Sequence, residues 1–398
     1  MMMHAWLHSQ LDELCEVTSS KRIYAKELCA TGVPFYRSKE IIEKLNGQEV
    51  HSNPLFISEV RYQEILRLSG VPVEGDLLLT SRGTLGIPYI VIKSDRFHFA
   101  DGNLTWFRRF RGLDSHFLKF FLLSPLGKAE LARCVIGSSQ LAYTIATLKK
   151  IAIPLPPIAV QKRIAGILSA YDELIVNNQR RIRILEDMAR SLYREWFVHF
   201  RYPGHESIPL VDSSLGQIPQ GWEVKKLSEV LELNYGKALK KEDRREGEYP
   251  VFGSSGIVGM HDTALVKGPG IIVGRKGNVG SVFWCDNDFF VIDTAYFVAS
   301  SFPLRFLFYV LPTLNFINSD AAVPGLSRNQ AYTLEILVPP ILLLNQFCEL
   351  AETFERQSAT LQRQTANLRR TRDLLLPRLL SGQVSLTVSE SELDEVMP

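Results

Sequence analysis

The chain has 398 residues, 46% of them hydrophobic, with a formal net charge of +2. That supports two or three domains with real cores, and the near-neutral balance does not by itself favour nucleic-acid binding. The five cysteines, Cys15, Cys29, Cys134, Cys285 and Cys348, are odd in number and form no CxxC, which excludes a disulfide framework or a zinc site and implies a reducing compartment.

The opening Met-Met-Met-His-Ala-Trp has no basic stretch leading into an apolar one, and the longest apolar runs, such as 336–344, are far too short to cross a bilayer. A soluble, cytoplasmic protein is expected. Residues 1–152 read as a mixed α/β domain. Gly32 to Glu40 predicts a strand that ends in the polar residues Arg37, Ser38 and Lys39. Gly75 to Gly86 predicts a hairpin in which Arg82 precedes a glycine turn, and the aromatic stretch Ser115 to Leu131 predicts a core helix carrying Phe117, Phe120 and Phe121. A short Gly-Ser-Gln loop ending at Gln140 follows.

Residues 153–202 open on Ile153-Pro154-Leu155-Pro156-Pro157, and a heptad series follows. Ile164, Tyr171, Asn178, Leu185 and Leu192 fall seven apart, with Leu168, Ile175, Ile182, Ala189 and Trp196 interleaved. Such a repeat is the pattern of a coiled-coil seam, and a buried Asn at one seam position would fix its register. Proline is tolerated in a first helical turn but not inside, so the Pro pair marks the start. At about 1.5 Å per residue, a helix from Lys162 to His199 would reach about 57 Å.

Pro203, Gly204, Pro209, Gly216, Pro219 and Gly221 mark residues 203–221 as a linker. Residues 203–335, which include this linker, repeat the first half. Trp222 with Leu227 matches Trp6 with Leu11; Tyr249 to Gly259 is a second strand delivering Ser254 and Ser255 to a loop; and Gly270 to Gly280 is a second hairpin, carrying Arg275, Lys276 and Asn278 at its glycine turn. Phe302 to Ile317 is a second aromatic helix, followed by a loop with Ser327, Arg328 and Gln330. The shared Arg-Gly turns are either loops whose backbone N–H groups and Arg could meet a phosphate or plain tight turns needing positive φ.

Residues 336–388 begin with Ile336-Leu337-Val338-Pro339-Pro340, and Phe347, Phe354, Leu361, Leu368 and Leu375 continue the same phase. The interleaved Ala351, Ser358, Thr365, Arg372 and Leu379 are more polar, which predicts a narrower seam. Residues 389–398 are acidic and expected to fray. The clusters Arg108, Arg109, Arg111 and Lys237 to Arg245 read as solvated faces.

Catalytic constellations are missing. Gly127-Lys128 and Gly236-Lys237 lack a Walker A setting, the histidines form no HxH or HExxH, and neither Pro-Pro site is an Asn/Asp-Pro-Pro-aromatic site. Asp212 with Glu223 and Lys225 only superficially matches a nuclease pattern. No catalytic or metal-binding residue is predicted.

Over nearly its full length the chain resembles the specificity subunits of type I restriction-modification systems. The matching features are the two Pro-Pro entries with their long helices, Tyr249 to Gly256, Gly75-Asp76-Leu77-Leu78 with the Arg-Gly hairpins, Gly221-Trp222, and Leu374 to Gly382. The resemblance implies an α+β chain with an internal pseudo-twofold repeat: two globular α/β target-recognition domains separated by two long helices that pair as an antiparallel coiled coil.

It further implies a non-catalytic subunit that reads a bipartite, asymmetric DNA target, with the paired helices spacing the two half-sites. Two methyltransferase subunits, and restriction and translocase subunits in the full enzyme, would be the partners. S-adenosylmethionine, ATP and Mg²⁺ would belong to those partners, not to this chain. On this reading Arg37, Ser38, Lys39, Arg82 and Gln140 in the first half contact DNA. So do Ser254, Ser255, Arg275, Lys276, Asn278, Ser327, Arg328 and Gln330 in the second. The alternative is a coiled-coil adaptor that binds protein partners and no DNA.

Overall fold

The computed structural model describes residues 6–45, 55–138, 140–316, 325–384 and 386; the predicted acidic tail at 389–398 lies outside them. The chain divides into two compact units, residues 1–180 with 361–398, and residues 181–360.

The first unit is built on a four-stranded antiparallel sheet in the order Glu16–Thr18, Leu104–Arg108, Leu77–Thr80, Pro88–Ile90. Leu77, Leu78 and Leu79 are fully buried, because both faces of this central strand are covered and alternation is lost. A second sheet orders Leu28–Cys29, Leu55–Ile57, Val33–Tyr36 and His98–Phe99, the last pair parallel. His8–Gln10 pairs antiparallel with Ala152–Pro154, which brings the start and the end of this half together.

The expected aromatic helix is two helices, Ser115–Leu123 and Pro125–Arg133. Pro125 forces Ser124 into an extended conformation (φ −71°, ψ 163°), and Ser124 then serves both ends: its N–H bonds the Phe120 carbonyl and its Oγ accepts from the Gly127 N–H. Phe117, Phe120 and Phe121 are buried, as the sequence indicates.

The second unit repeats the plan. Its sheet runs Glu232–Tyr235, Ala295–Ala299, Gly270–Gly274, Val282–Cys285, and a three-stranded sheet of Gly256–His261, Tyr249–Gly253 and Phe290–Val291 again ends in a parallel pair. The pairing Leu77↔Ile90, Leu79↔Pro88 recurs as Ile271↔Trp284, Val273↔Val282, and Glu223–Lys226 pairs with Glu335–Val338 as the closing strands. The second aromatic helix is shorter than expected: Leu304–Val310 passes into a 3₁₀ turn, Leu311–Thr313, at Pro312.

Residues 203–221 are not a loose linker. Leu210–Ser213 and Gly216–Pro219 form a hairpin, and Tyr202 and Ile218 are buried in the core with Trp222. The Pro and Gly residues that suggested a linker are turn residues, with Gly204, Gly216 and Gly221 at positive φ.

The long helices are Ile158–Tyr193, which ends in a π turn at Arg194–Val198, and Ile341–Leu380. Each starts just after its Pro pair. They run antiparallel: in the first unit Ile164 and Leu168 share a core with Leu376, Leu379 and Leu380, while Asp172, further along, meets Arg372 at 2.7 Å. On the first helix Ile164, Leu168, Ile175 and Asn178 are buried and Tyr171, Ile182, Leu185 and Leu192 half-buried; on the second Phe347 and Leu361 are buried and Phe354, Leu368 and Leu375 half-buried.

The second seam is not narrower, contrary to expectation. Ala351, Ser358, Thr365 and Leu379 are all buried and Arg372 half-buried. Small side chains allow close packing, and the Thr365 hydroxyl donates to the Leu361 carbonyl at 2.7 Å, so its burial leaves no orphaned donor.

Candidate nucleic-acid interface

In the first unit Arg37, Ser38, Lys39 and Arg82 converge. With Gly83, Thr84 and Asn103 they line a pocket of about 660 Å³. Ser38 joins the elements, since its Oγ is 3.2 Å from the Arg82 carbonyl and 3.1 Å from the Asn103 carbonyl. Gly83 has φ 79° and an open surround, so backbone conformation rather than space demands glycine there. Arg82 forms a β-bridge with Ala142, which sets the loop bearing exposed Gln140 beside the hairpin.

Arg37 is held by Glu40, with Nη2 to Oε1 at 2.6 Å and the Arg37 N–H to Oε2 at 2.8 Å. Burial raises the Glu40 carboxyl, but the bonds from Arg37 outweigh it, and Glu40 titrates below the ordinary carboxylate range. Arg37 therefore anchors the start of the helix Ser38–Leu45 as well as facing the pocket.

In the second unit Ser254 and Ser255 form the turn between Tyr249–Gly253 and Gly256–His261. The Ser281 hydroxyl donates to the Ser254 carbonyl at 2.5 Å, which ties this turn to the Arg275 hairpin. The N–H groups of Arg275 and Lys276 donate to Thr294, at 2.9 and 3.0 Å, and Lys276 bridges Gly325. Lys276 and Asn278 are exposed at the tip. The Arg275 guanidinium lies 5.0 Å from the Tyr235 ring centre and that of Arg328 5.3 Å from the same ring. Ser327 leads into the short helix Arg328–Ala331. The Gln330 side-chain oxygen is buried and unpartnered, and Ser38 and Ser254 are buried as well.

The bridges align the two hairpins residue by residue. Arg82 to Ala142 corresponds to Lys276 to Gly325, and the bond from Tyr143 N–H to the Ser81 carbonyl to that from Leu326 N–H to the Arg275 carbonyl. Arg82 therefore matches Lys276, and Arg275 matches Ser81.

In the other charged clusters several arginines have structural partners, while Lys237, Lys240 and Lys241 are exposed. Arg108 and Arg109 both pair with Glu16, at 2.7 and 3.1 Å, and the bond from Arg108 holds the Glu16 carboxyl below its ordinary value. Arg244 donates to the Val258 carbonyl at 2.6 Å and Arg245 pairs with Asp262. Glu223 and Lys225 pair with each other at 2.8 Å on one strand. Among the described residues no group of three His, Cys, Asp or Glu could hold a metal ion, and no helix is long and apolar enough to cross a membrane.

Sequence reasoning missed Tyr235, Thr84 and Asn103. An aromatic residue ahead of Gly236-Lys237 was the available signal for Tyr235.

Two copies of one sheet assembly, each presenting hairpin loops beside a short helix-bearing loop and each leading into a long helix, define a duplicated recognition scaffold. A family model described as the type I restriction modification DNA specificity domain matches residues 3–186 and 219–342, and the chain belongs to that family. It is 27% identical over 357 residues to the type I restriction enzyme MjaIX specificity subunit of Methanocaldococcus jannaschii, covering 78% of each chain. It is 38% identical to the MjaVIII specificity subunit of the same organism over 92 residues, 23% of this chain and 21% of that one. The crystal structure of a type I restriction-modification S subunit from M. genitalium shares the fold, with a TM-score of 0.61 at 17% identity, covering 94% of this chain and 96% of that one.

Proposed function

We propose that the chain is the DNA-sequence specificity subunit of a type I restriction-modification enzyme and that its two units each read one half of a split, asymmetric target. The observation that carries this is the repeated meeting of hairpin and pre-helix loop, at Arg82 with Ala142 and at Lys276 with Gly325. Each meeting gathers basic and amide side chains where base edges or phosphates could be contacted.

The assigned contacts are Arg37, Ser38, Lys39, Arg82 and Gln140 in one unit, and Ser254, Ser255, Arg275, Lys276, Asn278, Ser327 and Arg328 in the other. Gln330, facing inward, supports its loop instead. The long helices at 158–193 and 341–380 would serve as the docking surface for methyltransferase subunits, with restriction subunits joining the complete enzyme. S-adenosylmethionine, ATP and Mg²⁺ belong to those subunits. The chain itself acts by binding, in the cytoplasm. Nothing in the relatives favours the protein-binding adaptor.

The test is to co-express the chain with a cognate type I methyltransferase subunit and sequence host DNA for methyladenine. A single split motif modified in both halves is expected. Purified complex should also lose DNA affinity steeply between about 50 and 200 mM salt, as phosphate contacts require. A co-purifying complex with no modified motif and no salt-sensitive DNA binding would defeat the reading.

A further inference from the structure

The two candidate interfaces share a backbone plan but not a chemistry. In the second unit Tyr235 is a half-exposed ring at the end of the strand Glu232–Tyr235. Arg275 lies 5.0 Å and Arg328 5.3 Å from its centre, and Arg275 is also 5.8 Å from the Tyr296 ring. Both guanidinium groups are thus held over aromatic faces before any ligand arrives. Arg275 is fixed further by donating Nη1–H to the Asp293 carbonyl at 3.0 Å, while its own carbonyl accepts from Leu326.

At the matching sites of the first unit the residues are uncharged. Ser81 stands where the second unit has Arg275, and its hydroxyl is 2.7 Å from that of Thr105. Thr105 stands opposite Leu79 as Tyr296 stands opposite Val273. The strand equivalent to Glu232–Tyr235 has already ended at Thr18. Among the described residues, the paired-arginine platform occurs in the second unit and not in the first.

We infer that Tyr235 is a positioning residue that presents Arg275 and Arg328 as two guanine readers, so that the half-site read by residues 203–335 contains two guanines. The inference rests on the DNA-specificity reading and sharpens it. A guanidinium offers parallel N–H groups that match guanine O6 and N7, and a side chain already stacked on a ring loses less freedom when it does so. The distances to one shared ring keep the two guanidinium carbons within about 10 Å of each other. At 3.4 Å per base step, both guanines then fall within about four consecutive base pairs, on either strand. The first unit, lacking the platform, carries no such requirement.

The experiment uses the complete methyltransferase complex. The wild-type motif is read from methylated host DNA, then that of Arg275→Gln, Arg328→Gln, Tyr235→Leu and Tyr235→Phe complexes. Each Arg variant should relax one guanine of one half-site and leave the other half-site intact; Tyr235→Leu should relax both guanines and Tyr235→Phe neither. As a check independent of variant folding, wild-type complex is titrated with duplexes carrying 7-deazaguanine, which lacks the N7 acceptor. Each of the two positions should weaken binding by roughly tenfold or more, and guanines elsewhere in the motif should matter less.

A motif whose affected half-site has no pair of guanines within four base pairs would overturn the inference while leaving the specificity reading standing. So would indifference to 7-deazaguanine there, or a Tyr235→Phe complex as relaxed as Tyr235→Leu. Absence of any motif from the wild-type complex would overturn both.

Discussion

Replacing Phe347 with alanine removes a fully buried ring from the second unit. Its centre lies 4.9 Å from Phe197, 5.5 Å from Tyr309, 6.2 Å from Tyr193 and 6.3 Å from Trp196, three of these contacts edge-on or nearly perpendicular. These neighbours come from the end of the first long helix, from the π turn Arg194–Val198 and from Leu304–Val310, so no single element can move in to close the hole. A Phe→Ala change in a core costs about 3–5 kcal/mol, rising with the cavity that cannot collapse, and edge-to-face pairs add to area burial. We expect about 4–5 kcal/mol here.

Phe354 is the internal control: same helix, same seam phase, but half-buried. Phe354→Ala should cost about 1–2 kcal/mol, in proportion to the smaller area removed from water. Urea unfolding followed by tryptophan fluorescence measures both, with Trp196 and Trp222 buried in the affected core. Hydrogen exchange locates the loss, which should fall on 304–313 and spare 115–133. If the two alanine variants are equally destabilised, or if protection falls equally in both units, the packing argument is wrong.

Acid should weaken the first unit in two stages. Burial lowers the pKa of His98, so its contribution is full above the ordinary imidazole value of about 6.5 and declines as pH falls from there to the folded-state pKa. Glu40, held below its ordinary pKa, contributes stability above the carboxylate range that is lost as pH falls through its folded-state value. Urea midpoints measured at descending pH should lose the upper stage in His98→Phe and the lower stage in Glu40→Gln; an unchanged profile in the double variant would refute both assignments. Asp172 accepts from Lys119 at 2.8 Å and Arg372 at 2.7 Å, so Asp172→Ala should destabilise the first unit by about 1–2 kcal/mol, between exposed and buried pairs, with high salt reducing the difference from wild type. Gly166 sits inside a helix with nothing within 4 Å of an added Cβ, and Gly166→Ala should raise stability by about 0.5–1 kcal/mol in the same assay.

The long helices were legible because their determinants are local: a Pro pair to start them and a repeat that the eye can count. The duplication was legible for a related reason, since glycine turns such as Gly83 and Gly277 need positive φ and therefore stand out. The narrow second seam was misread because Ser358 and Thr365 look polar in a list but bury readily in helices that approach closely. The linker was misread because composition cannot distinguish turn residues of a packed hairpin from those of a tether. At the candidate interface, the hairpin residues could be named from sequence, but their companions could not. Tyr235 meets Arg275 and Arg328 only through the fold, and Arg37 looked available until Glu40, one helical turn on, was seen to hold it.

The division of the chain has a consequence for its synthesis. Residues 181–360 form the second unit without interruption, whereas the first unit includes residues from both ends of the sequence. Leu376, Leu379 and Leu380 belong to the same core as Leu11, Leu77 and Phe117. On the ribosome, the unit that begins first is thus the one finished last. Until residues 361–380 emerge, Ile164 and Leu168 lack Leu376, Leu379 and Leu380 beside them, leaving apolar surface that neighbouring chains can capture. Loss of residues 361–380 would therefore injure the first unit, whereas loss of the whole helix would also take Leu343, Leu344, Phe347 and Ala351 from the core of the second.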